Sequence, residues 1–533
     1  MSRTLDGLLA EAARAHPDRT ALALPSLTGF RTITFAELDA RVDRVAAGLL
    51  HAGLRPGMRT ALLVPPTPDF FALAFALQRL KAVPVLVDPG IGTDKVKACL
   101  DEAAPEAFLG IAKAHLARRV LGWAPSARVL VTAGSGPPLG GRTLRRVEQD
   151  GAWRTPFVPP ERPAGTPAAI VFTSGSTGPP KGVEHGEASL LAQARLISGL
   201  YGLGPDQVML ATFPPFALYG PALGMTTVVP RMDATRPASV VPSRVVDAAE
   251  RFGATVMFGS PGLLDTLSRS GLRMPTVRLV MSAGAPVPRR VQRRTLAMLP
   301  EGAQVFTPYG ATEALPVASI GSDELLALPE HGICVGRPVP DVDVALIRVT
   351  DEPIAAMSDD LLVGPGEVGE VVVRGPVVSP AYADRPEATA VAKLDWDGQV
   401  AHRMGDLASW DADGRLWFAG RTAHVVHTAS GPMYSVPCEE VFNLHASVRR
   451  SALVGVGPRG QAEPVLCVQV EEGVTPSPGL TAELLALGAA DPRTAAIRRV
   501  LYKDAFPVDI RHNSKIDRPQ LGRWAAEQPE AQR

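Results

Sequence analysis

An α/β fold is predicted, with a large body of parallel and mixed sheets covered by helices and a small α+β unit after it. Three observations carry this. Strand-like and helix-like segments alternate repeatedly in the first 310 residues. The composition is 46% apolar but only 5% aromatic, with Gly 50 and Pro 51, which suits a large enzyme body with many turns rather than a coiled coil or a disordered chain. From about residue 340 the pattern changes to short strands separated by turns.

Taken in order, Arg59-Thr-Ala-Leu-Leu-Val64 reads as a strand, the apolar-periodic segment 69–81 as a helix, and 83–88 as a second strand. The same alternation returns at 277–282, 288–299 and 303–308. Strands alternating with helical segments of this length imply βαβ units and parallel sheets. The Gly/Pro-rich stretch 133–141 reads as a surface excursion. Short strands follow at 370–374 and at 416–418, the latter behind the turn Asp411-Ala-Asp-Gly414. A border near Gly420 to Thr422 divides the chain into a large unit, 1–420, and a small one, 421–533, with strands at 451–456 and 464–470. There is no internal repeat of 20–50 residues.

Charge and cysteine content exclude several classes. The 54 basic and 54 acidic residues cancel, which removes the field expected of a nucleic-acid binder. Four widely separated cysteines (Cys99, Cys334, Cys438, Cys467) make neither a disulfide framework nor a Cys-rich zinc site. The start, Met1 to Asp6, lacks a basic-then-apolar signal pattern, and no apolar run approaches the ~20 residues of a membrane span. A cytoplasmic enzyme is expected. Only 8 of the 54 basic residues are lysines, so a lysine inside a motif invites the question of why arginine was not used.

The most informative stretch is 171–183. Thr173, Ser174, Ser176 and Thr177 alternate with Gly175 and Gly178, and Lys181 closes the run after Pro179-Pro180. Glycines let backbone N–H groups converge on an anion, hydroxyls add donors, and an ammonium neutralises charge, as a triphosphate requires. The Walker A spacing is absent, and the two prolines oppose a helix starting at the lysine. A flexible polar hairpin is the alternative reading.

Thr173-Ser-Gly-Ser-Thr-Gly-Pro-Pro-Lys-Gly182 resembles the signature of the adenylate-forming superfamily: acyl-CoA synthetases, luciferases and peptide-synthetase adenylation domains. Further segments resemble that family in the expected order. Tyr309-Gly310-Ala-Thr312-Glu313 follows a predicted strand; the resemblance implies Tyr309 along the adenine, Thr312 on phosphate and Glu313 on Mg²⁺. Gly284, Ala285 and Pro286 resemble the segment that frames the adenine. His402-Arg-Met-Gly-Asp406 with Gly420-Arg421 resembles the paired nucleotide motifs, with Asp406 as ribose clamp and Arg421 on ribose or α-phosphate; a turn or helix cap is the other reading of Asp406. Asn513-Ser-Lys-Ile-Asp-Arg518 resembles the loop with the catalytic lysine, here Lys515, although Ser514 stands where the family has Gly. The resemblance implies a mobile C-terminal domain that delivers Lys515 for adenylation and withdraws it afterwards. Ala423-His424 departs from the Asp or Lys usual at the family's hinge.

The pocket segment Phe213-Pro-Pro-Phe216-Ala217-Leu-Tyr219-Gly220 carries Ala217 where many acyl-CoA synthetases have His, and with Gly259 it suggests an apolar, small-residue lining. Together with Asp88-Pro-Gly-Ile-Gly92, Ala314-Leu-Pro316 and Pro437-Cys-Glu-Glu-Val-Phe-Asn443, this is similar to the β-lactone synthetases of bacterial long-chain olefin biosynthesis. That resemblance implies ATP and Mg²⁺ as cofactors and a long-chain 2-alkyl-3-hydroxy acid as substrate. It also implies a possible assembly with other enzymes of the pathway. A long-chain acyl-CoA ligase and a non-catalytic adenylate-binding protein are the alternatives.

Overall fold

The computed structural model describes residues 4–154, 156–173, 179–330, 332–508 and 516–529. Three large sheets form the body. An eight-stranded sheet runs, in spatial order, through 381–382, 182–185, 169–172, 83–86, 59–63, 107–111, 129–133 and 142–143. Its pairings are parallel except at the 182–185 strand, which is antiparallel to both neighbours. A seven-stranded sheet orders 304–306, 279–281, 256–258, 208–211, 226–228, 20–26 and 29–34, parallel but for its last hairpin. The third sheet is antiparallel and begins with Tyr309–Ala311 and Ala314–Ser319.

Helices Leu5–Ala15, Phe35–His51 and Pro68–Arg79 supply the core between the two parallel sheets. The helix Pro68–Arg79 is apolar on nearly every face (Phe70, Phe71, Leu73, Phe75 and Leu77 are all buried), as a helix enclosed on all sides must be. Proline at its first turn costs nothing there, because that N–H has no intrahelical partner. Thr34 and Glu37 close a reciprocal capping box on the helix Phe35–His51.

The sequence-predicted βαβ segments fall at Arg59–Leu63, Pro68–Arg79 and Val83–Leu86, and at Leu279–Met281, Arg289–Met298 and Gln304–Phe306. The expected border at 420/421 cuts the strand Leu416–Arg421, so the third sheet reaches one residue past it. After that strand come a hairpin, 426–428 with 431–433, and a three-stranded sheet, 448–456, 463–470 and 499–502. The helix Ser435–Asn443 packs on this small sheet, and Glu439 on it receives Arg518 Nη2 at 2.9 Å. That buried ion pair fixes the start of the last helix, Arg518–Ala526.

Candidate active site

A cleft of about 2130 Å³ runs along the strand ends of the body and is closed on one side by residues of the C-terminal unit. Open α/β sheets bind ligands at this place, beyond the carboxyl ends of their strands.

At one end stands the stem of the glycine-rich loop. Thr173 N–H donates to the Lys181 carbonyl at 3.0 Å, and Lys181 N–H donates to Thr173 Oγ1 at 3.1 Å. The two residues thus face each other where the strands 169–172 and 182–185 part. Ser174, Gly175, Ser176, Thr177 and Gly178 lie outside the described residues. The Lys181 ammonium rests 4.8 Å from the ring centroid of Tyr382, and Tyr382 donates its O–H to Glu313 Oε1 at 2.7 Å. Glu313 is buried, and its carbonyl accepts the Ser379 N–H at 2.8 Å. Lys393, also buried, donates to the Ser379 carbonyl at 2.6 Å and to its Oγ at 3.1 Å. Burial pulls the Lys393 amine down to about 7, with the Glu313 charge opposing.

The second group lies on the antiparallel sheet. Asp406 and Arg421 are direct cross-strand partners, with Arg421 Nε 3.1 Å from Asp406 Oδ1. Tyr309 donates to Asp406 Oδ2 at 2.9 Å, and burial raises that phenol well above its ordinary range. Asp406 sits inside the strand Gln399–Trp410, which rules out a helix cap. Gly310 and Thr312 line the cleft beside Tyr309. Gly284, Ala285 and Pro286 line it from the turn after Leu279–Met281, where Gly284 takes φ +93°, a region L side chains avoid.

Further along, the cleft becomes aromatic. Phe216 stacks on Phe258 with centroids 4.2 Å apart, and Phe213 stacks on the same ring at 5.9 Å. Tyr219 meets Phe216 edge-on and donates its O–H to Gln193 Oε1 at 2.9 Å. Three of the residues expected to line the pocket lie off the wall of this cleft. Ala217, Gly220 and Gly259 do not reach the cleft. Ala217 is 1% exposed and packs into the core behind the wall. A Cβ on Gly220 would stand 1.9 Å from Thr227 Oγ1, so that glycine serves the contact between helix and strand. A Cβ on Gly259 would meet Met257, Leu263 and Leu264 instead of an acid. The short helices 214–217 and 219–222 turn Phe216 and Tyr219 to the cleft and the small residues away from it.

Lys515 lies outside the described residues, but both ends of its segment are fixed. Val508 and Ile516 form an antiparallel bridge, and Ile516 and Arg518 line the cleft.

Sequence reasoning missed Tyr382, Lys393 and the buried pair of Arg403 with Glu370 (Nη2 to Oε2, 2.7 Å). The scarcity of lysine could have singled out Lys393. Tyr382 carried no such signal, because its partner is 69 residues away.

The family of AMP-binding enzymes matches residues 9–383 of this sequence. The chain belongs to that family. Among AMP-binding enzymes it is similar to the olefin beta-lactone synthetase of Xanthomonas campestris pv. campestris, at 48% identity over 97% of this chain and 96% of that protein. The olefin beta-lactone synthetase of Stenotrophomonas maltophilia is likewise 48% identical, over 97% of both chains. A solved AMP-binding fold, the amide bond synthetase McbA of Marinactinospora thermotolerans, superposes with a TM-score of 0.80 at 26% identity, covering 98% of this chain and 99% of that one. As an AMP-binding enzyme the protein is an ATP-dependent, adenylate-forming ligase. Among its described residues no helix is long and apolar enough to cross a membrane.

Proposed function

We propose that the protein adenylates a long-chain 2-alkyl-3-hydroxy acid and then closes it to a β-lactone. The observation that carries this reading is the near full-length similarity to two olefin beta-lactone synthetases, joined to a cleft that runs from the stem of the glycine-rich loop to an aromatic wall. A carboxylate oxygen attacks the α-phosphorus of ATP, and the bond to pyrophosphate breaks. The β-hydroxyl oxygen then attacks the acyl carbon, the bond to AMP breaks, and the hydroxyl proton is released. Because hydroxyl and carbonyl belong to one molecule, the second step needs no external nucleophile.

The residues are suited to these tasks. Thr173, Lys181 and the loop between them would hold the phosphates, and Lys515 would bring a positive charge to the α-phosphate. Gly284, Ala285, Pro286 and Tyr309 would frame the adenine, while Asp406, oriented by Arg421, would hold the ribose hydroxyls. Glu313 fits a Mg²⁺ site: Tyr382 takes Oε1, and among the described residues no group donates to Oε2. With Thr312 alongside and phosphates completing the shell, that is the small protein share Mg²⁺ favours. Bound there, the metal would neutralise charge on the phosphates. Phe213, Phe216 and Phe258 offer apolar surface for the alkyl chains, at about 0.8 kcal/mol per buried CH₂. A C-terminal domain that moves to present and withdraw Lys515, and an assembly with enzymes that supply the hydroxy acid, belong to the same reading.

The test is incubation of the pure protein with ATP, Mg²⁺ and a 2-alkyl-3-hydroxy acid, with and without CoA. Mass spectrometry and proton NMR of the extract should show a β-lactone under both conditions. A thioester formed only with CoA, with no ring product, would place the protein among acyl-CoA ligases.

A further inference from the structure

The aromatic wall of the cleft includes a polar pair, Gln193 with Tyr219, whose amide nitrogen has no acceptor among the described residues. Gln193, on the helix Glu187–Tyr201, is 6% exposed and lines the cleft. Its Oε1 accepts the Tyr219 O–H at 2.9 Å. Its Nε2, itself buried just behind the cleft surface, carries two N–H donors, and among the described residues nothing accepts either of them. Tyr219 also lines the cleft, in edge-on contact with Phe216. A glutamine in such a place is poorly explained by packing, since leucine or methionine would fill the volume without a stranded donor. In this structure the phenol donates to the amide oxygen, so the nitrogen is the end left over.

The position along the cleft matters as much as the chemistry. The helix carrying Gln193 begins two residues after the strand Gly182–His185, which leads out of the phosphate loop. Ala192 and Leu196, on either side of Gln193, pack against the cluster that includes Ala314, one residue past Glu313. Gln193 therefore stands on the helix that leads from the end of the strand Gly182–His185 to the aromatic wall of the cleft. The stacked rings of Phe216 and Phe258 continue the wall from there.

Resting on the adenylation reading above, we propose that Gln193, oriented by Tyr219, is the residue that recognises the 3-hydroxyl of the substrate acid. Its Nε2 donates to the hydroxyl oxygen, which leaves the hydroxyl hydrogen free to point elsewhere. An acid without that oxygen leaves the donor buried and unpaired in the complex, and a site built this way discriminates against the analogue that lacks the group. The pair thus selects acids able to cyclise from ordinary fatty acids of equal length, before ATP is spent on them.

The experiment measures pyrophosphate release, as kcat/KM, for a 2-alkyl-3-hydroxy acid and for its 3-deoxy analogue of the same chain length. The wild type should favour the hydroxy acid by about tenfold or more. Gln193→Leu should bring that ratio close to one by weakening the hydroxy acid, with the deoxy acid unchanged or improved. Tyr219→Phe, which keeps the ring and frees the amide, should give a partial loss of the same ratio and guards against a misfolded Leu variant. A ratio unaltered in both variants, or an equal fall for both acids, overturns the proposal. Absence of ATP-dependent pyrophosphate release from the wild type with either acid would instead remove the adenylation reading itself.

Discussion

The Tyr382 hydroxyl donates to one oxygen of the Glu313 carboxylate, 2.7 Å away, and the same phenol ring receives the Lys181 ammonium on its face. A residue from an edge strand thus joins the lysine of the glycine-rich loop to the buried carboxylate of Glu313. Fixing one carboxylate oxygen leaves the other in a set direction, which lowers the cost of ordering it when a cation arrives. Tyr382→Phe should raise the Mg²⁺ concentration giving half-maximal pyrophosphate release by about tenfold, with most of kcat recovered at high Mg²⁺. Titration of Mn²⁺ onto the protein with a non-hydrolysable ATP analogue, followed by EPR, checks the same change without turnover. An unchanged Mn²⁺ affinity would leave the phenol a packing role only.

Asp406 is held by Arg421 on one oxygen and Tyr309 on the other, in the middle of a strand. Asp406→Ala should raise the KM for ATP by about 5- to 150-fold, matching ~1–3 kcal/mol for a lost charged hydrogen bond. Steady-state kinetics on the folded fraction give the answer. A fall in melting temperature with ATP kinetics intact would assign the carboxylate to the sheet alone.

Lys515→Ala should abolish acyl-adenylate formation while changing ATP affinity only a few-fold, because on the proposed reading the body would supply most of the nucleotide contacts. Pyrophosphate release and calorimetric ATP titration, run on the same preparation, separate the two. Near-normal release would contradict the assignment.

His185 is buried among apolar strands, and burial, aided by the nearby Lys393 charge, lowers its imidazole to about 4. The unfolded chain, with an ordinary value near 6.5, takes up the proton first as pH falls. The stability contribution is therefore complete above pH 6.5 and is lost between 6.5 and about 4, at a cost of roughly 3 kcal/mol. Buried His402, lowered still further for the same reason, acts in the same direction. Urea unfolding midpoints across this range should fall steeply for the wild type and less steeply for His185→Phe. Parallel curves would remove His185 as a source of acid lability.

Ala217 lies behind the aromatic wall, so Ala217→His should overpack the core and cost ~1–3 kcal/mol without moving chain-length preference. Phe216→Ala, on the cleft side, should change that preference. Melting curves and a chain-length series of acids distinguish the two. A clear selectivity change in Ala217→His would restore the alanine as a gate.

Arg403 and Glu370 form a pair that is about 5% exposed at each side chain. Arg403→Met alone should cost ~3–5 kcal/mol by stranding a carboxylate, and Arg403→Met with Glu370→Met should cost less. Denaturant unfolding of the two variants tests this, and an additive loss would count against it.

The sequence alone determined the chemistry at one scale. The order of hydroxyls, glycines and Lys181, the Thr312-Glu313 pair, and the Asp406 and Lys515 motifs each lie within a short stretch, where local composition and spacing carry the signal. The βαβ elements were legible for the same reason, since periodicity is a local property. The wall of the acid site was not. Which of Phe216, Ala217, Tyr219 and Gly220 faces the cleft depends on how two four-residue helices break, and no period can be read over so few residues. The partners of Glu313 and Gln193 come from segments 69 and 26 residues away, joined only when sheet and helix pack. Lys393 stands out in the sequence only as one of few lysines, and its burial, which pulls the amine down to about 7, is visible only in the fold. Burial and long-range pairing are sums over the whole fold, so tertiary structure alone decided which side chains share the cleft and which are sealed behind it.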